Sequence, residues 1–168
     1  QGTLPIVTDQ FATVTVVPEA EVLRSPAQNL ADVMFAKPGI TSSTFAPGAS
    51  RPIIRGQDNF RVRIQQNGIA TGDVSDIGED HPVTIDPLIA RQTEVIRGPA
   101  TLRWGSQAIG GVVNVENNRI PTSIPARGMS LETKGGDTSV DTGGEGAALL
   151  DAGGGSFAFH ADALGRRA

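Results

Sequence analysis

The sequence predicts a small mixed α/β domain followed by the first strands of an antiparallel β-barrel, and three observations predict it. Short β-branched runs, among them FATVTVV (Phe11–Val17) and GGVVNV (Gly110–Val115), alternate with brief helix signals. Glycine and proline, 21 and 11 of 168 residues, punctuate these runs with long polar loops. After Pro121 the pattern changes to amphipathic segments with one polar and one apolar face. The organisation read from these shifts is an N-terminal arm over 1–10, an α/β domain over 11–121 and barrel-type strands over 122–168.

Phe11–Val17 alternates and is read as a strand. A helix opening at Ser25-Pro26 follows, with Leu30, Val33 and Met34 at i, i+3 and i+4 and a stop at Lys37-Pro38-Gly39. Ile40–Ser50, rich in Ser, Thr, Gly and Pro, is read as a loop. Strands are expected at Pro52–Gly56 and Arg61–Gln66, the second closed by the Asn67-Gly68 turn. Ala70–Pro82 is a polar loop, Asp86-Pro87 opens a short helix through Leu88 and Ile89, and Thr93–Arg97 is a strand. Pro99–Leu102 is a helical turn and Gly110–Val115 the last strand of the domain. Beyond it, Met129–Lys134, Glu145–Asp151 and Ser156–Asp162 are expected strands, the last two joined by Gly153-Gly154-Gly155.

Composition removes several classes of function. A net charge of −4 with no basic stripe argues against nucleic acid as partner. No run of about 18 apolar residues encodes a transmembrane helix. The absence of cysteine excludes thiolate metal sites, disulfides and a cysteine nucleophile. Two histidines, His81 and His160, lie far apart, and no Gly-x-Ser-x-Gly elbow is present, so no catalytic residue is assigned and the chain is read as no enzyme.

The glycines of RGPATLRWGSQAIGGVVNV (Arg97–Val115) invite a phosphate-loop reading that fails on chemistry. Gly105 and Gly110 have the spacing, but Gly111 and Val112 stand where the lysine and hydroxyl of a P-loop must be. The strand residues also follow the glycines, the reverse of a dinucleotide fingerprint.

At the residue level these segments resemble the plug of TonB-dependent outer-membrane transporters. RPIIRGQDNFRVRIQQNGI (Arg51–Ile69) is similar to the plug motif in which a strand ending Ile-Arg-Gly precedes a second strand and an Asn/Asp-Gly turn. IDPLIARQTEVIRGPATLRWGSQAIGGVVNV (Ile85–Val115) resembles the family's most recognisable segment, and LADVMFAKPGI (Leu30–Ile40) its helix-then-Pro-Gly element. Together they cover about Phe11 to Asn118. Trp104-Gly105 replaces the usual Tyr-Gly, Glu116-Asn117 a common Ile-Thr or Ile-Asp, and Gln65-Gln66 an apolar and acidic pair.

The resemblance implies a plug inside a barrel lumen in the outer membrane of a Gram-negative bacterium, with the barrel continuing beyond Ala168. It implies the barrel itself and TonB, with its inner-membrane energising complex, as partners. Leu4-Pro5-Ile6-Val7-Thr8 loosely resembles a TonB box, an extended segment that adds as an edge strand to the partner. Arg55 and Arg97, both in Ile-Arg-Gly, correspond to plug arginines that pair with barrel glutamates and lock plug to wall; Glu94 is an alternative partner of Arg97 within the domain. The glycines of Arg97–Val115 are expected to allow tight turns and packing against the wall.

Ligand is expected at apical loops near Thr41–Ser50 and Thr71–His81. The second contains Asp73, Asp76, Glu79, Asp80 and His81, a ligand set that suits zinc and that resembles the plug loop of zinc-uptake receptors; a solvated polar loop is the competing reading. The favoured function is gated uptake of a scarce metal ion or metal chelate, zinc or an iron chelate being cargo and no resident cofactor being required. A free periplasmic plug-like binding module without a barrel, or a metal scavenger, is the alternative.

Overall fold

A computed structural model describes residues 13–25, 29–46, 49–72, 74–78, 80–139 and 142–167. The chain divides into two compact units, the first ending at Glu116 and the second beginning at Asn117.

The first unit is built on a five-stranded sheet. Its strands in chain order are β1 (Thr13–Pro18), β4 (Val62–Gln66), β5 (Ile69–Ala70), β6 (Gln92–Arg97) and β7 (Gly111–Glu116). Their spatial order is β1-β6-β7-β4-β5, and β4–β7 is the parallel pair. Two short helices, α1 (Glu19–Val22) and α2 (Leu30–Met34), lie between β1 and a separate hairpin of β2 (Ile40–Ala46) and β3 (Ala49–Ile54).

Period-2 alternation explains why the sheet is buried on both sides. Val17, Val62, Ile64, Val95, Val113 and Val115 point to the main core, where they meet Leu30, Val33 and Met34 of α2 and Ile54 of β3. Ile96 and Val112 point the other way and pack with Ala108, Val14 and Trp104. Near-continuous apolar runs such as VVNV are what a doubly covered strand requires.

Two expectations change. Ile40–Ala46 forms β2, and Ala49 and Ser50 begin β3, in place of the expected loop, with Ile40 paired to Ile54 and Ser42 to Pro52. A strand pair tolerates Ser and Thr, and Pro52 sits where this two-stranded ribbon needs no further donor. The helix starts later than Ser25-Pro26: Asn29 is the N-cap, its side chain accepting from the Asp32 N–H, and α2 is one short helix of Leu30–Met34.

The second unit is a three-stranded antiparallel meander of β8 (Met129–Thr138), β9 (Gly143–Gly154) and β10 (Phe157–Arg167), in the order β10-β9-β8. The strands are longer than the alternation alone suggests, at 10, 12 and 11 residues. Gly153 and Gly154 belong to β9, so the turn falls on Gly155-Ser156, with Gly155 at φ +61°. The sheet is open; these strands form no closed barrel.

Candidate functional site

Three groups of side chains in the first unit carry features that packing alone does not demand. The first is centred on Arg97 at the end of β6. It is 8% exposed, and one Nη donates to the Pro38 carbonyl at 2.7 Å. Its other Nη donates to the Thr15 hydroxyl on β1, while Nε has no partner. Burial, reinforced by the neighbouring Arg55 charge, lowers the proton affinity of Arg97 below the ordinary guanidinium value. Arg55 is exposed, in a left-handed backbone conformation at φ +51°, and Gly39 keeps the space between the two arginines open. A Cβ on Gly39 would stand 3.4 Å from Arg97 Nη1 and 3.9 Å from Arg55 Cγ.

Glu94 is not the partner of Arg97. Residues three apart on a strand face opposite sides, and Glu94 Oε1 instead accepts from Gln92 Nε2 at 2.6 Å. Glu94 joins Asn114 and Gln65 in one cross-strand row, all three buried. Glu116, on the same face, has its carboxyl pushed above the usual carboxylate range, first by burial and then by the Glu94 charge.

The second group is the glycine segment. Arg55, Gln57, Pro99, Leu102, Ile109 and Gly110 line a cleft of about 530 Å³, with Leu102 and Ile109 largely exposed. Gly110 is required by its neighbours inside the unit: a Cβ would lie 2.6 Å from Gln57 Cβ and 3.1 Å from the Arg61 carbonyl. Gly105, at φ +97°, makes the turn before the 3-10 helix Ser106–Ala108.

The third group is the polar loop before β6. His81 Nδ1 lies 2.9 Å from Asp80 Oδ1, both side chains about half exposed. Asp76 closes a 3-10 turn, Val74–Asp76. Asp73 and Glu79 lie outside the described residues, as do Leu4, Pro5, Ile6, Val7 and Thr8. Among the described residues no three His, Cys, Asp or Glu side chains converge to hold a metal ion.

In the second unit several strand residues reverse the usual polarity, although Leu149 is buried. Met129, Leu131, Phe157 and Phe159 share one face and are exposed, Phe157 at 83%. Lys134, Asp151 and the His160 side chain, on the other face, are buried. There His160 Nδ1 meets Asp151 Oδ1 at 2.6 Å, and Asn118 Nδ2 donates to the same oxygen at 2.8 Å. Arg119 grips Asp162 with two bonds, 2.8 and 3.0 Å.

Comparison with known proteins gives this arrangement its family. The TonB-dependent receptor plug domain matches residues 7–112. The chain belongs to that family. The hemin receptor of Yersinia pestis is 30% identical over 104 residues, 61% of this chain and 15% of the receptor. That of Yersinia enterocolitica matches to the same extent. Among solved structures, the ferric-catecholate import receptor Fiu of E. coli K12 has a TM-score of 0.65 at 24% identity, over 95% of this chain and 22% of Fiu. The ferric enterobactin receptor PfeA of Pseudomonas aeruginosa has a TM-score of 0.71 at 17% identity, over 95% of this chain and 25% of PfeA. Those structures share the fold. The chain thus spans about a seventh to a quarter of the length of these relatives, all of them receptors.

Sequence reasoning did not single out Thr15, the Pro38 carbonyl, Arg51 or Arg119.

Proposed function

We propose that this chain is the gating plug and the first wall strands of an outer-membrane receptor that takes up an iron compound, a chelate or hemin, with energy delivered through TonB. The observation that carries the reading is the order of the two units: a plug domain followed by strands that expose Met129, Leu131, Phe157 and Phe159 on one face and bury Lys134 and Asp151 on the other. Strands of 10–12 residues match the length a bilayer requires of a tilted β-strand, and a lipid-facing apolar row is the pattern of a barrel wall.

Within this reading, extracellular ligand meets the plug at the β2–β3 hairpin around Thr41–Ser50 and at the loop around Thr71–His81. Arg55 and Arg97 receive carboxylates of the barrel; the free Nε of Arg97 and the adjacency of two cations favour an anionic neighbour. Residues Leu4–Thr8 are the segment that TonB would capture by strand addition. An iron compound is preferred to free zinc because the Asp80–His81 pair supplies two of the three or four ligands a zinc site needs. No resident cofactor is required, since the work is done by the partner.

The test is fractionation of the source cells, probed with antibody to this segment. A heat-modifiable outer-membrane band several times larger than 17.4 kDa, together with lost growth on hemin or a ferric chelate when the gene is deleted, is the expected result. A soluble periplasmic band near the size of this chain overturns the barrel and leaves a free binding module. Unchanged metal uptake after His81→Ala removes the remaining case for a zinc site.

A further inference from the structure

Arg51 lies in β3, a strand buried at nearly every position, and its own side chain is 4% exposed. One Nη donates to the Ser75 carbonyl at 2.9 Å, and the other reaches Asp58 Oδ2 at 3.2 Å. The two anchors belong to different segments. Asp58 opens the 3-10 turn Asn59–Arg61, and Ser75 is the centre of the turn Val74–Asp76, which packs against it.

The Val74–Asp76 turn is inside out. Ser75 is 2% exposed, whereas Val74 and Ile77 are 56% and 84% exposed. The turn closes on itself through the Ile77 and Gly78 N–H groups, both donating to the Val74 carbonyl. Those bonds fix the shape of the turn but not its place on the domain. A buried guanidinium with two acceptors fixes the place, because its planar fork sets direction as well as distance.

We propose that Arg51 is the positioning residue of the ligand-facing loop: by holding the Ser75 carbonyl and Asp58 together, it turns Val74 and Ile77 outward as an apolar contact for the body of the incoming iron chelate or hemin. This rests on the reading that the 71–81 loop meets ligand. Asp76, Asp80 and His81 then border the contact and discriminate among ligands by charge. Lysine at position 51 would keep the charge but lack the planar fork that sets direction, and would hold the turn less well.

The test uses the whole receptor in outer membranes, with Arg51→Met and Arg51→Lys. Two quantities are read: amide hydrogen exchange across Val74–Gly78, and binding of hemin and of a ferric catecholate chelate. Exchange in Arg51→Met is expected to rise about tenfold, the scale of one lost charge-assisted hydrogen bond. Arg51→Lys is expected in between, and Val95 and Val113 amides in the core stay protected in both. Affinity for the bound probe falls about tenfold in step with exchange. Should Arg51→Met fail to reach the membrane, Asp58→Asn keeps Arg51, weakens one anchor and reports the same pattern at lower amplitude. Unchanged exchange in Arg51→Lys and Asp58→Asn overturns the positioning role. Faster exchange with unchanged binding of both probes overturns the ligand contact instead, and with it the placement of ligand on this loop.

Discussion

The two units use the same alternating strand and put it to opposite ends. In β6 and β7 both faces of the strand are covered, and Val95, Ile96, Val112 and Val113 are fully buried. In β8–β10 one face carries exposed Leu131 and Phe159, and the other carries buried Lys134 and Asp151. A period of two therefore states only that a strand has two faces. Which face meets solvent depends on what the solvent is, and in the second unit the outward face suits hydrocarbon better than water.

The largest effect that separates the units comes from charge. Val113→Asp places an unpaired carboxylate in the first core and is expected to cost about 4 kcal/mol or more, seen as a plug cleaved by added protease. Phe159→Arg, on the outward face, is expected to cost about 2–4 kcal/mol in a bilayer and close to nothing in water. Loss of heat-modifiable assembly for Phe159→Arg checks this. Indifference to that change would sink the lipid-facing assignment.

Gly110→Ala tests packing within the first unit. A methyl there would meet Gln57 Cβ and the Arg61 carbonyl, so a loss of about 1–3 kcal/mol is expected in denaturant unfolding. Thr15→Val removes one acceptor of Arg97 and is expected to cost about 1 kcal/mol. Its signature is faster hydrogen exchange in β1 than in β7.

The smallest effect is one of pH. Because the folded protein holds the Glu116 proton more tightly than the unfolded chain, Glu116 detracts from stability as pH rises from the unfolded carboxyl value through the folded one. Glu116→Gln is expected to flatten that fall and to stabilise slightly at neutral pH, while leaving stability below the unfolded carboxyl range unchanged. A pH series of unfolding midpoints for both proteins checks it.

β7 was legible in the sequence because it is a near-continuous apolar run, and β4 because its alternation ends at Asn67-Gly68. The hairpin of β2 and β3 was not, because ITSSTFA lacks alternation and Pro52 argues against an ordinary strand. α1 is four residues long, too short for any helical period to register. Arg55 and Arg97 stood out through their shared Ile-Arg-Gly context. Their local partners did not, since Thr15 and Pro38 lie 82 and 59 positions from Arg97 and are joined to it only by the fold. Arg51 hid for a related reason: one of its acceptors, the Ser75 carbonyl, is 24 positions away and belongs to the backbone, which no side-chain pattern records.

The directions of β1 and β7 have a mechanical consequence. Both run antiparallel to β6 and hence parallel to each other. Thr13, where β1 begins, pairs with Arg97 at one end of β6, and Glu116, where β7 ends, pairs with Gln92 at the other. Tension drawn between these two points runs along the strands, so the ladder bonds are sheared as a set and not opened one at a time. Such a sheet resists up to a threshold and then yields at its outer strand, as a shear pin does.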